Sequence, residues 1–206
     1  VKSPFILPPA LLAAVLVMLT SACTTVPQRQ PFQPPPAVYA EHLDTIKGIG
    51  NFAMTGRMAV LTESKGFSGS MHWHHHEEGD DIQFFSPLGT QLGSLSKNMD
   101  GVTLTTSNQK TYHADDAEAL TQATLGWSLP MTGLSDWMLG RPADGEVEIM
   151  AWDAAGNITR MRQNGWDIEY PFYQITDEKS LPGKIIMKSP KLELKLVVEN
   201  WQTGEN

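Results

Sequence analysis

From Phe52 onward, apolar and polar residues alternate with a period of two, and this repeat limits the possible folds more than any other feature. The clearest case is KLELKLVVE, residues 191–199, where Leu192, Leu194, Leu196 and Val198 oppose Lys191, Glu193, Lys195, Val197 and Glu199. Successive side chains of a strand point to opposite faces, so each such run has one apolar and one polar side. FAMTGRMAVL sets Phe52, Met54, Met58 and Val60 against Thr55 and Arg57. GFSGSMHWHHH sets Phe67, Met71 and Trp73 against Ser68, Ser70, His72, His74 and His76. EVEIMAW is expected to turn Val147 and Ile149 inward, and WDIEYPF to turn Trp166, Ile168, Tyr170 and Phe172 to one face. Segments near 82–86, 91–97 and 102–106 read as further strands, with Asp100-Gly101 as a hairpin turn. A single curved antiparallel sheet whose apolar faces all turn inward satisfies every run.

Three stretches change period. AVYAEHLDTIKGIG reads as a short helix with Val38, Ile46 and Ile49 near one face, ended by Gly48 and Gly50. ADDAEALTQATLG, residues 114–126, has acidic residues at its start, a stripe of Ala117, Leu120 and Ala123 or Thr124, and a stop at Gly126. After Pro130 a second short helix presents Leu134, Trp137 and Met138. The apolar segment 127–139 is expected to plug or cap the concave side of the sheet. Whether the interior is filled or partly open is not settled by periodicity.

The N-terminus has its own logic. Residues 1–22 carry one lysine, a nearly unbroken apolar run and then small residues, the layout of a secretory signal peptide, with Val1 as an alternative start codon. Cys23, the one cysteine, stands where cleavage would fall, in Leu19-Thr20-Ser21-Ala22-Cys23. This is similar to a bacterial lipobox, in which the cysteine becomes the acylated N-terminus, although Thr20 holds the place where leucine is usual. An uncleaved anchor and a secreted protein with a spare thiol are the alternatives. Residues 23–36 are rich in Pro and Gln and read as an extended tether, and 37–206 as the globular domain. The formal charge of −8 argues against a nucleic-acid binder and against a polybasic membrane binder.

Little here suggests catalysis. His72, His74 and His76 share a strand face and could hold a metal with Glu77 or Glu78, but the same residues lie on the polar side beside an acidic loop, so no metal site is expected. Asp115, Asp116 and Glu118 stand where a helix start is capped. There is no G-x-S-x-G, P-loop or dinucleotide motif, and neither a catalytic residue nor a cofactor is expected.

One residue fits none of this. Ser86-Pro87-Leu88-Gly89 has the composition of a tight turn, yet Leu88 would stand at its tip, in water. This turn, the acylation site at Cys23, the strand pair around Trp73, Tyr112-His113-Ala114-Asp115-Asp116-Ala117-Glu118, Leu134-Ser135-Asp136-Trp137-Met138-Leu139-Gly140, Gly165-Trp166 and Asn200-Trp201 together resemble the LolB family, outer-membrane lipoprotein receptors of Gram-negative bacteria. The resemblance implies a half-open antiparallel β-barrel with an internal helical lid enclosing a hydrophobic cavity, similar to the carrier LolA. It implies a monomer anchored in the outer membrane through lipid on Cys23 and facing the periplasm. Such a receptor takes the acyl chains of lipoproteins from a LolA-like carrier and releases them into the inner leaflet, without covalent chemistry. Leu88 is then the residue that serves membrane insertion of cargo. Met54, Met58, Met71, Trp73, Trp127, Leu129, Leu134, Trp137 and Met138 are the expected cavity lining or lid. A carrier of free lipid and a structural envelope lipoprotein with a packed interior are the rival readings.

Overall fold

A computed structural model describes residues 35–205, so the expected leader, Cys23 and most of the tether lie outside the described residues. Eleven strands form one antiparallel sheet. The first half of the chain gives β1 (Ile49–Thr62), β2 (Gly66–His76), β3 (Gly79–Phe85), β4 (Gln91–Asn98), β5 (Gly101–Thr106) and β6 (Thr111–Ala114). The second half gives β7 (Val147–Trp152), β8 (Ile158–Gln163), β9 (Trp166–Thr176), β10 (Lys179–Ser189) and β11 (Leu192–Glu205). Their order is β6-β5-β4-β3-β2-β1-β11-β10-β9-β8-β7, so the first and last strands meet in the middle and hairpins run outward from both. β6 and β7 are the two edges, and the sheet is open.

The alternation works as expected where the ladder is regular. On β1 and β2, Met54, Met58, Val60, Met71 and Trp73 are buried while His72 and His74 face out. Bulges shift the phase elsewhere. Between β1 and β11 the register moves at Thr55/Gly56, so that Val198 and Trp201, three residues apart, both turn inward. The same device overturns two expectations. In β9 the register against β10 slips on either side of Lys184, beside Pro171, which cannot donate to the ladder. Phe172 is therefore 57% exposed rather than inward, and Tyr173 takes the inner side with its hydroxyl on the Ile158 carbonyl at 2.8 Å. In β7 a shift between Val147 and Ile149 leaves Ile149 exposed and Met150 and Trp152 half-buried.

Among the described residues three helices accompany the sheet. Helix α1 (Ala37–Ile46) buries Tyr39, His42 and Ile46 rather than the expected Val38, which is half-buried, and Ile49 already belongs to β1. It packs on the far half of the sheet, with Tyr39 against Trp152 at 5.4 Å and His42 edge-on to Tyr173 at 6.4 Å between ring centroids. Helix α2 (Ala117–Leu125) begins at Asp116, whose carboxylate accepts from the Ala119 amide, and ends at Gly126 in the left-handed region, φ 82°. Its buried stripe is Ala117, Leu120 and Thr121; Ala123 is exposed. Helix α3 (Met131–Met138) is broken at Thr132 and Gly133 (φ 85°), so its regular turns start at Leu134. No helix among the described residues is long and apolar enough to cross a membrane.

Two polar groups inside this core make its stability measurable. Gln163 is fully buried, accepts from Trp137 Nε1 (2.8 Å) and the Ala143 amide (3.0 Å), and donates to the Ala143 carbonyl (2.8 Å). Gln163→Leu leaves three groups without partners and is expected to lower unfolding stability by about 2–4 kcal/mol, read as an earlier urea midpoint. His42 is buried, its Nε2 has no partner among the described residues, and burial holds its pKa below the usual imidazole range against an opposing pull from Asp153. The unfolded imidazole takes a proton near pH 6.5, before the folded one does, so stability is fully present above that pH and falls as pH drops toward 5. His42→Gln is expected to flatten this part of the stability profile, measured by denaturant titration from pH 7.5 to 5.

Candidate functional site

The site is the apolar face of the sheet together with the segment from α2 to α3. Its floor is aromatic and rigid. Phe52 stacks edge-on to Trp73 (5.2 Å) and Trp201 (5.3 Å), and Trp73 Nε1 donates to Asp80 at 2.9 Å. Asp80 also meets His75 Nδ1 at 2.7 Å, so the indole's polar edge lies in a paired, hydrogen-bonded corner. Met54 stands between Trp73 on one neighbouring strand and Trp201 on the other.

Of the nine expected lining residues, Met54, Met58, Met71, Trp73, Leu129, Leu134, Trp137 and Met138 are 5% exposed or less, and Trp127 is half-buried. All belong to or pack against one continuous core. Sheet and helices fill one another in this conformation, and the free apolar space is small. A pocket of about 80 Å³ lies between β2–β5 and the end of α2, lined by Phe67, Phe84, Leu92, Leu104, Leu125 and Trp127. Water occupies roughly 30 Å³ per molecule, so this space holds a few methylenes, well below a ligand pocket of ~300 Å³ or more. Only Trp127 among the expected residues lines it. Phe67 was legible as an inward position of β2, while Phe84, Leu92 and Leu104 lie on strands whose inward faces were not assigned residue by residue, and Leu125 ends α2.

The two helices are held differently. Helix α3 is tied to its surroundings by side-chain bonds: Trp137 to Gln163, the Tyr170 hydroxyl to the Trp137 carbonyl (2.9 Å), and Asp136 to Arg141 (2.7 Å), which also donates to the Ile46 carbonyl at 3.0 Å. Helix α2 is tied to itself. Thr121 Oγ1 donates to the Ala117 carbonyl and accepts from the Leu129 amide, and Ser128 Oγ donates to the Glu118 carbonyl. Segment 126–129 is thus folded back along α2. The side-chain hydrogen bonds of 117–129 stay within that segment among the described residues, apart from the bond from Asp116 at its start.

The β3–β4 turn flanks the pocket, since Phe84 and Leu92 line it from the two strands the turn joins. Gly89 N donates to the Ser86 carbonyl (2.9 Å), Ser86 N to the Thr90 carbonyl (2.8 Å), and Ser86 Oγ accepts from the Leu88 and Thr90 amides at 3.3 and 3.2 Å. Gly89 has φ 83°, which suits glycine. The turn satisfies itself, and Leu88 projects from it 94% exposed.

On the opposite face, His72 and His74 border a shallow groove of about 140 Å³ with Ala53, Thr55, Asn200 and Gln202. His76 is half-buried at the end of β2 and meets Asp81 at 3.7 Å. Among the described residues no group of three or more His, Cys, Asp or Glu side chains is placed to hold a metal ion.

Comparison with known proteins bears on this site. The sequence signature of the family described as "Outer membrane lipoprotein LolB" matches residues 50–201. Outer-membrane lipoprotein LolB of Nitrosococcus oceani is 34% identical over 189 residues, 91% of this chain and 94% of its own. That of Nitrosomonas europaea is 35% identical over 153 residues, 73% of this chain and 72% of its own. Among solved structures, a LolA superfamily protein from Nitrosomonas europaea superposes with a TM-score of 0.52 at 8% identity, covering 85% of this chain and 96% of its own. A DUF1329 family protein from Desulfovibrio piger gives 0.52 at 9%, covering 84% and 94%. The fold is shared with the LolA superfamily, and the sequence goes further: the chain belongs to the LolB family of outer membrane lipoproteins.

Proposed function

We propose that this protein receives lipoproteins by their acyl chains from a LolA-like periplasmic carrier and passes them into the inner leaflet of the outer membrane, where lipid on Cys23 anchors it as a monomer. The observation that carries the reading is the pairing of an apolar pocket with an exposed leucine on the turn beside it, in a chain of this family. Each buried methylene contributes ~0.8 kcal/mol, so acylated cargo crosses water only under cover. A downhill order of affinity from carrier to receptor to bilayer moves it, with no covalent step.

The closed conformation then represents the resting state of a half-open barrel with an internal lid. Helix α2 and its folded-back segment 126–129 move as one piece, pivoting at Asp115-Asp116 and at the irregular backbone of Pro130–Gly133, while α3 stays tied to β8 and β9. Opening lifts Leu125 and Trp127 away from Phe67, Phe84, Leu92 and Leu104, and entering acyl chains fill the space between the two layers. Met54, Met138, Leu134 and Trp137 form the deeper wall. Methionine suits such a wall because its unbranched side chain repacks around chains of varied shape.

Two measurements test this. Leu92→Trp fills the pocket from its half-buried rim and is expected to abolish binding of an apolar fluorescent dye and uptake from loaded carrier, with an unchanged circular dichroism spectrum. Full uptake by that variant places the entry elsewhere. Leu88→Glu is expected to leave uptake intact and lower delivery to liposomes at least about tenfold, the effect of one apolar side chain worth ~2 kcal/mol kept out of the bilayer. A free-lipid carrier predicts tight fatty-acid binding and no uptake from loaded carrier, and a structural lipoprotein predicts no dye binding.

A further inference from the structure

The hairpin connections divide into two sets by topology. Those joining β1–β2, β3–β4, β5–β6, β8–β9 and β10–β11 lie at one end of the sheet, and those joining β2–β3, β4–β5, β7–β8 and β9–β10 lie at the other. Their charges are sorted in the same way. The far set carries Glu77, Glu78, Asp100, Asp153, Asp177 and Glu178 and no lysine or arginine. The set that includes the Leu88 turn carries Lys65, Lys110 and Lys191 against Glu63 alone. The three lysines are exposed and make no ion pair among the described residues. Of the charges just inside that end, Arg160 and Arg162 pair with Asp167, Lys188 with Glu169, and Lys195 with Glu193, while the exposed Asp144 and Glu146 leading into β7, and Glu148 on it, lie at the margin of the sheet far from Leu88.

These turns are also firm. In two of them the last residue of the preceding strand closes the turn with its own hydroxyl, Thr62 Oγ1 donating to the Lys65 carbonyl (3.0 Å) and Thr106 Oγ1 to the Lys110 carbonyl (3.1 Å), and the Ser86 hydroxyl accepts from amides of the Leu88 turn. Strands are spaced by about 4.8 Å, so successive hairpins on one edge stand roughly 10 Å apart. Lys65 and Lys110 therefore flank Leu88 on either side, and Lys191 follows one hairpin beyond Lys65.

We propose that Lys65, Lys110 and Lys191 form, around Leu88, a docking face for anionic phospholipid headgroups. This rests on the reading of Leu88 as the membrane-contacting tip. A chain of −8 formal charge is repelled by an anionic surface as a whole, and this end is the one that can approach. One leucine alone gives marginal partitioning, and stable contact needs a second signal, which basic residues supply. Each lysine near an anionic surface strengthens partitioning about fivefold, roughly a hundredfold for three, and salt removes the effect. The acidic end points away, so the same charges set the orientation of the domain on the bilayer.

The test uses the acylated full chain reconstituted in vesicles, with Leu88→Cys labelled by an environment-sensitive dye, the thiol of Cys23 being blocked. On vesicles containing phosphatidylglycerol the dye is expected to report an apolar setting. Adding Lys65→Gln, Lys110→Gln and Lys191→Gln, or raising salt, is expected to lower the buried fraction at least about tenfold. On pure phosphatidylcholine the triple substitution changes nothing. Equal dye burial on anionic vesicles with and without the lysines overturns the proposal. So does a triple variant that keeps its membrane contact and loses uptake from loaded carrier, which assigns the lysines to the carrier. Failure of the Leu88→Glu delivery test with the lysine effect intact sinks the role of the tip in cargo insertion and leaves the docking face standing.

Discussion

Everything else in the structure hangs on the ladder between β1 and β11. It joins the first strand of the domain to the last, runs from Ile49 against Glu205 to Thr62 against Leu192, and occupies the middle of the sheet. Both halves of the chain build outward from it by hairpins, so one long-range pairing fixes the position of nine further strands. Its inward side carries Met54, Met58, Leu194, Leu196 and Trp201, all part of the one continuous core. Closing a loop of this length costs entropy before any contact is gained. The cost is offset because the pairing aligns two complete apolar faces at once.

A protein that must both fold and admit apolar guests faces a conflict. An empty greasy cavity is destabilising, and a well-packed one admits nothing. The arrangement here separates the two demands by region. Around Trp73, Trp137 and Gln163, aromatic contacts and buried hydrogen bonds hold the interior in one packing. Beneath the end of α2, contact is made by Leu125 and Trp127, with no side-chain bond to the strands among the described residues. One half is fixed by directional bonds and the other by non-directional contacts, and under the proposed function it is the second that exchanges its own side chains for a ligand's.

Much of this was legible in the sequence. Strict alternation in β1, β2 and β11 identified their buried faces correctly, and Asp116 and Gly126 marked the limits of α2. Three strands escaped notice. β10 contains Pro182-Gly183, which reads as a break, yet Gly183 lies under the Phe172 ring where a Cβ would come within 2.4 Å. β8 carries the exposed Arg160 and the partly exposed Arg162 between its buried residues, which breaks the apolar repeat, and both pair with Asp167. β6 is four residues long. The misplaced Ile149 and Phe172 share one cause, a bulge, which reverses the phase and leaves no mark in a local pattern. The tight packing of the interior was beyond sequence reasoning altogether, since an apolar side chain that lines a space and one that fills it have the same periodicity.

The sheet's two free margins have a consequence of their own. β6 and β7, four and six residues long, end the ladder on either side and are not hydrogen-bonded to each other. A cylinder with a continuous ladder has its girth set by strand number and stagger. A sheet with two free margins has no such fixed girth: under the proposed function it acts as an expansion joint, whose walls spread for a bulkier guest without severing any bond between neighbouring strands.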